Sequence, residues 1–270
     1  NFGLSKKISL FHYNQSIKNI DDNYINLILN IKNEGEKVNN KILNIKNYNT
    51  IDPDKKNLLF VGDSQSWDWI RSLSNSTIKD NYNFNYVEVN SNCYYYFEDF
   101  HNSNLKKNNC LKSYNQLIKN SVNSYSAIII LNSFSNKNEI NNIKYLINIF
   151  SSQKDKIVLI GNAEFVDITL YSYHLAKLLS KNPNKKFTQV SNEVMLNSVI
   201  KINQYIDIFS KQNDIHFINE YNFFCNNEYC KIFSDSYEPL FYDNMHFTDA
   251  GENFVSKKII LALNELNLIY

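Results

Sequence analysis

From residue 57 onward, short apolar runs alternate with longer amphipathic stretches, and this alternation restricts the fold more than any other feature of the chain. The runs cover residues 58–61, 84–89, 127–131, 157–160 and 215–218, and they are rich in Ile, Val, Leu and Phe. Runs of this length suit strands, and near-continuous apolar character marks strands buried on both faces, as in a parallel sheet. The helical patterns between them supply the crossovers that parallel strands need. Five such strands predict a flavodoxin-like three-layer α/β/α sandwich around a five-stranded parallel sheet. With 5 Gly and 3 Pro in 270 residues, most of the chain is expected in regular elements.

Two segments interrupt the alternation. Residues 164–211 read as two helices joined near Asn182-Pro183, and residues 222–242 as a cysteine-bracketed hairpin before a last helix from about Thr248. Upstream, Ile17, Ile20, Tyr24, Ile28 and Ile31 recur at helical spacing. Gly35 interrupts that stripe, and Val38, Ile42 and Ile45 resume it. Asp52-Pro53 then marks a boundary. Residues 1–50 are therefore expected to form a helical extension or linker, and residues 51–270 the main domain.

Charge and cysteine usage narrow the function classes. Lys+Arg 28 against Asp+Glu 27 leaves +1, with no basic face that would suit nucleic acid. No run approaches eighteen apolar residues, so no segment reads as a membrane span. The first residue is Asn1, which suggests a processed protein or an excised domain. Cys93 with Cys110 and Cys225 with Cys230 form two local pairs. They fit either two disulfides in an oxidising compartment or four buried thiols. A Cys93–Cys110 bridge would close a loop of about eighteen residues, worth roughly 3 kcal/mol in the chain-entropy model. Neither pair has a two-residue spacer, which disfavours zinc, and no metal or cofactor is expected.

Chemistry is expected beyond the carboxyl ends of the strands, where Gly62-Asp63-Ser64 ends the first run. A serine hydroxyl becomes a nucleophile when a base takes its proton and a third group orients that base. Among His12, His101, His174, His216 and His246, His216 lies within a strand and reads as structural. His246 differs, standing in F-Y-D-N-M-H-F-T-D-A-G with Asp243 three residues earlier. On a tight loop, that spacing lets the carboxylate accept from one imidazole nitrogen while the other faces the serine.

Gly-Asp-Ser after the first strand, together with Asp-x-x-His before the last helix, resembles the SGNH hydrolase pattern over about residues 57–262. The resemblance implies the same three-layer fold and a Ser64–His246–Asp243 triad. Cys225-Asn226-Asn227-Glu228-Tyr229-Cys230, Pro239-Leu240-Phe241-Tyr242-Asp243, His246-Phe247-Thr248 and Ala250-Gly251 look like the end of a narrower group. Its members are SGNH domains fused behind multi-span membrane acyltransferases that O-acetylate bacterial surface polysaccharides. Ile157-Val158-Leu159-Ile160-Gly161 with Glu164-Phe165 resembles their fourth strand and its exit.

This resemblance implies an extracytoplasmic, periplasmic or cell-surface O-acetyltransferase, possessing an acyl donor, a polysaccharide acceptor and a membrane acyltransferase upstream in the same chain. Two other readings stay open: a free-standing carbohydrate O-acetyl esterase or lipase-like esterase, and a non-catalytic glycan-binding domain with a degraded oxyanion hole. Gln65 stands where the fused domains usually have His, and the second-strand exit, Val89-Asn90-Ser91-Asn92-Cys93, lacks the family's Gly. An N–H from Ser91 or Asn92 must substitute there. Leu131-Asn132-Ser133-Phe134 replaces the third block. The implied oxyanion donors are thus the Ser64 N–H, Asn92 and the Asn132 amide. Trp67 and Trp69, with Ile70 and Leu73, are expected on the buried face of the helix after Ser64, one Trp lining the site. Tyr94-Tyr95-Tyr96-Phe97 is expected to pack beneath the disulfide loop rather than to serve as a sugar platform.

Overall fold

The computed structural model describes residues 52–97, 108–165, 189–191, 196–226, 228–235 and 238–270. The helices expected over residues 14–48, the helix expected before Asn182-Pro183, and His12, His101 and His174 lie outside these residues. The described residues form two compact units. One contains those between 52 and 163, 197 and 223, and 252 and 270; the other contains those between 164 and 196 and between 224 and 251.

The first unit begins with strand β1 (Lys56–Gly62), helix α1 (Ser64–Ser74) and strand β2 (Tyr82–Glu88). A 3₁₀ helix (Ser91–Tyr96) follows, and then α2 (Asn108–Ser121), β3 (Ala127–Leu131), α3 (Lys137–Ile149) and β4 (Ile157–Gly161). After the short β5 (Gln189–Ser191) come α4 (Asn197–Gln212), β6 (His216–Asn219) and the single turn α5 (Tyr221–Phe224). Strand β7 (Tyr229–Lys231) and helix α6 (Asp249–Glu265) complete the order.

Five strands make one parallel sheet in the order β2-β1-β3-β4-β6. This is the expected flavodoxin-like architecture, with each strand within two residues of its predicted apolar run. Parallel crossovers are right-handed. The step from β1 to β2 runs opposite to the later steps, so α1 lies on one face and α2, α3 and α4 on the other. Side chains agree: Arg71 of α1 reaches Glu252 of α6 at 2.5 Å, while Tyr205 of α4 donates to Asn141 of α3 at 2.7 Å.

The strands alternate between these two layers. Leu59, Val61, Ile128, Ile130 and Leu159 pack with Leu117, Ile140, Ile143 and Ile206 in one core. Leu58, Phe60, Ile129, Val158 and Ile160, all within 1% of full burial, alternate with them. Burial on both faces explains why the sequence shows apolar runs instead of alternation. The reversal of strand order at β1 makes its carboxyl end the topological switch point, the usual location of a site in such sheets.

In the second unit, β5 pairs antiparallel with β7, placing Val190 opposite Cys230. This overturns the expectation of helix through residues 189–191. The edge of the Cys225–Cys230 hairpin offers backbone groups that need partners, and this three-residue stretch supplies them. The hairpin itself is as expected, with Cys225 bridged to Cys230 and Phe233 to Pro239. Phe165, Phe224, Phe241 and Phe247 form its core, with the rings of Phe224 and Phe241 at 4.6 Å and those of Phe165 and Phe241 at 4.9 Å.

Candidate active site

The Gly62-Asp63-Ser64 turn is built by a close approach of two backbones. A Cβ on Gly62 would lie 1.7 Å from the Leu131 carbonyl oxygen, so only glycine lets β1 and β3 pair at this point. The same carbonyl accepts from the Asp63 N–H at 3.2 Å and from Ser66 Oγ at 3.2 Å. Asp63 then caps α1, its Oδ1 accepting from the Gln65 N–H at 3.0 Å. Its Oδ2 accepts from the Ser133 N–H at 2.9 Å. Ser64 is therefore the exposed first residue of α1, at the positive end of the helix dipole. Its turn is bonded to both neighbours of Asn132.

The exit of β2 joins the same frame. The Gly62 carbonyl accepts from the Val89 N–H at 2.8 Å and from the Tyr86 hydroxyl at 3.1 Å. Asn132 is 1% exposed. Its Nδ2 donates to the Val89 carbonyl at 2.7 Å, and its Oδ1 accepts from the Tyr94 hydroxyl at 2.7 Å. The Asn92 N–H donates to Asn90 Oδ1 at 3.0 Å, capping the 3₁₀ helix. Of the two tryptophans, Trp69 is fully buried and donates to Glu220 at 2.5 Å. Trp67 departs from the expected buried face: it is half-buried, with its ring 4.2 Å from that of Tyr86. Its position one turn beyond Ser64 points it to the same side of α1.

Beneath Ser64, Asp68, Arg71 and Glu252 form a buried ionic cluster, with Arg71 paired to both carboxylates and Asn75 donating to Glu252 at 3.0 Å. Sequence reading missed this cluster. Its signal, Asp68 and Arg71 at i and i+3, is indistinguishable from a solvated surface pair.

In the second unit, Asp243 and His246 are brought together as their spacing predicts. His246 Nδ1 lies 2.7 Å from Asp243 Oδ2. Asp243 Oδ1 accepts from the Met245 N–H at 2.8 Å and from the His246 N–H at 2.7 Å. Burial opposes ionisation of Asp243, but the His246 hydrogen bond and charge and the two N–H groups outweigh it and hold the carboxyl below its ordinary range. A carboxylate only accepts, so the proton on this pair sits on Nδ1 and Nε2 is the basic nitrogen. The Tyr242 ring stacks on the imidazole at 5.5 Å.

A clamp not anticipated from spacing holds this loop. Asn244 Nδ2 donates to Glu164 Oε1 at 2.7 Å, and the Asn244 carbonyl accepts from the Phe165 N–H at 2.9 Å. Burial raises the Glu164 carboxyl, with Asn244 opposing and Asp243 adding to the shift. His216, read as structural, faces the Asp155 carbonyl at 2.9 Å. All four cysteines are paired, Cys93 with Cys110 and Cys225 with Cys230. Disulfides fit an extracytoplasmic domain in an oxidising setting. Among the described residues, no helix is long and apolar enough to cross a membrane.

A serine at a helix N-terminus beyond the first strand and an Asp–His pair before the last helix stand where the resemblance to the SGNH pattern expects them. The family described as "SGNH domain (fused to AT3 domains)" matches residues 34–260. The chain belongs to this family. It is an SGNH-type enzyme domain, and the match begins within the segment that sequence reading set apart as residues 1–50. The periplasmic domain of the lipopolysaccharide acetyltransferase of Salmonella ser. Paratyphi A has the same fold, with a TM-score of 0.59. The two are 15% identical over 78% of this chain and 85% of that one. A chain described as a possible lipase from Chitinophaga pinensis DSM 2588 aligns at 12% identity, covering 78% of this SGNH domain and 99% of its own length. Its TM-score is 0.44. No curated protein matches this SGNH domain by sequence.

Proposed function

We propose that this SGNH domain transfers O-acetyl groups to a cell-surface polysaccharide through Ser64, His246 and Asp243, outside the cytoplasm and behind a membrane acyltransferase in the same chain. The observation that carries the catalytic reading is the Asp243–His246 hydrogen bond of 2.7 Å, which fixes the imidazole tautomer a serine nucleophile requires. His246 Nε2 takes the proton of Ser64 Oγ as that oxygen attacks the acyl carbonyl carbon. The carbonyl electrons move to oxygen, and the Ser64 N–H at the start of α1, the Asn132 amide and the Asn92 N–H stabilise the oxyanion. The Asn92 N–H is held by Asn90 Oδ1 at 3.0 Å, so as an oxyanion donor it would have to exchange that partner. Collapse expels the donor's leaving oxygen, which collects the proton from His246. A sugar hydroxyl, deprotonated in turn by His246, attacks the acyl-serine, and Ser64 Oγ leaves with the proton returned by His246.

Two features support a glycan acceptor. The Salmonella relative in fold is named as a lipopolysaccharide acetyltransferase. In addition, the half-buried Trp67 and Tyr86 rings lie beside the nucleophile turn, with Tyr86 bonded to the Gly62 carbonyl. Aromatic faces of this kind suit the C–H face of a pyranose ring. The purified domain is expected to release acetate from an acetyl ester, and Ser64→Ala to abolish that release. Addition of a de-O-acetylated polysaccharide is expected to divert acetyl groups from water to sugar, read as new O-acetyl resonances. Equal turnover by the Ser64→Ala variant would remove Ser64 from the mechanism. Acetate release unaffected by any polysaccharide would favour the esterase reading. Absence of turnover in both proteins, with retained polysaccharide binding, would favour the glycan-binding reading.

A further inference from the structure

The Tyr94 side chain has no place in the steps above, yet it is fully buried and its hydroxyl bonds directly to one of the proposed oxyanion donors. The phenol donates to Asn132 Oδ1 at 2.7 Å, and Asn132 Nδ2 donates to the Val89 carbonyl at 2.7 Å. These two bonds leave one assignment for the amide. The Val89 carbonyl can only accept, so it must face Nδ2; Oδ1 must then face the phenol, and the phenol must donate. One Nδ2 hydrogen is thereby committed to Val89, and the planar amide sets the direction of the other. Were Asn132 to flip, two carbonyl oxygens would meet at the Val89 end, and the hydrogen available to an oxyanion would be lost.

Tyr94 is itself fixed. Its ring meets Phe97 edge-on at 5.5 Å, and both residues belong to the buried core of the first unit. The preceding residue, Cys93, is tied to Cys110 of α2. Burial pushes the phenol well above its usual range, with the Asp63 and Tyr86 charges adding, so it stays protonated and remains a donor.

We propose that Tyr94 is a positioning residue for acyl transfer, holding together with the Val89 carbonyl the amide orientation of Asn132 that can donate to the oxyanion. This rests on the reading of Asn132 as an oxyanion donor. Tyr94→Phe keeps the ring and removes only the hydroxyl. The expected result is a fall in kcat of roughly 10-fold with KM unchanged, because the lost alignment matters only when charge develops. Asn132→Ala is expected to lower kcat by about 10²–10³-fold. In the Asn132→Ala background, Tyr94→Phe should cause no further loss.

An equal factor in both backgrounds would show that Tyr94 acts independently of Asn132 and would overturn the proposal, as would an unchanged kcat in Tyr94→Phe. Full activity of Asn132→Ala would overturn it by removing the donor, while Ser64→Ala separately reports whether the serine reading holds. A turnover-independent measurement closes the remaining gap. The Asn132 side-chain amide protons in ¹⁵N-resolved NMR should be sharp in the wild type and broadened or shifted in a Tyr94→Phe protein that melts cooperatively. Identical amide signals in the two proteins would contradict the proposal.

Discussion

Ser64 follows a strand that pairs over seven residues with β2 and five with β3, whereas Asp243 and His246 stand in a loop closed by the bridge between Phe241 and Phe247. The first region is made of backbone ladders whose registers fix three strand exits together. The second is made of particular side chains: the Asp243 acceptor bonds, the Asn244–Glu164 clamp and a cluster of phenylalanines. Backbone ladders tolerate many side chains but no change in spacing. The loop has the opposite sensitivity, depending on a few specific side chains. The proposed nucleophile and the proposed base thus rest on two kinds of support, and substitutions should separate them.

The largest contrast is expected from glycine. A Cβ at position 62 would lie 1.7 Å from the Leu131 carbonyl oxygen, and one at position 251 would lie 2.0 Å from that of Leu240. Gly62→Ala forces the central strands apart and should cost more than about 3 kcal/mol, seen as loss of a cooperative melt. Gly251→Ala displaces the start of α6 and the neighbouring loop, so activity should vanish while the melt of the sheet persists. Identical melts for the two variants would remove the contrast.

Single side chains should then differ in the same sense. Arg71→Met leaves the buried Asp68 and Glu252 carboxylates without their cation and should destabilise by about 3–5 kcal/mol in denaturant titration. Thr248→Val removes a hydroxyl that donates to the Pro239 carbonyl at 2.5 Å and accepts from the Gly251 N–H at 3.1 Å. That loss should cost about 1–3 kcal/mol. The disulfides should follow their loop lengths. Replacing Cys93 and Cys110, separated by 17 residues, should cost about 3 kcal/mol in the chain-entropy model. Replacing Cys225 and Cys230, separated by 5, should cost about 2 kcal/mol.

The smallest effects should come from pH. Asp243 is depressed in the folded protein, so its contribution is present above the unfolded value of about 3.9 and is lost as pH falls through the folded value. Glu164 is raised, so its contribution is present below the unfolded value of about 4.3 and is lost as pH rises through the folded value. Asp243→Asn should therefore flatten the acid-side loss of stability, and Glu164→Gln should raise stability at neutral pH. Chemical denaturation at pH 3, 5 and 7 reads both. Stability differences from the wild type that change with pH in the same sense for the two variants would contradict this assignment.

The sheet was legible in the sequence because both-face burial writes itself as apolar runs, and Gly62-Asp63-Ser64 was legible because it ends one of them. The contact of Asp243 with His246 was legible in their three-residue separation on a tight loop, while its reading as part of a triad came from the resemblance to the SGNH pattern. Other parts left no such trace. Strand β5 is three residues long and exists because β7 offers it an edge, a long-range cause that local periodicity does not carry. Tyr94 was recognisable as a packed residue, but its bond to Asn132 joins positions 38 apart and depends on how the 3₁₀ helix after β2 is seated. Glu164 and Asn244 are 80 residues apart. Such polar contacts become visible only when the strands have been placed.

The central claim is that Ser64 is the nucleophile activated by His246. Labelling with a fluorophosphonate, followed by peptide mass spectrometry, tests it without knowledge of donor or acceptor. The account predicts a single adduct on the peptide containing Ser64, absent in Ser64→Ala and formed at least 10²-fold more slowly in His246→Ala. An adduct on another residue, or undiminished labelling of Ser64 in His246→Ala, would contradict it.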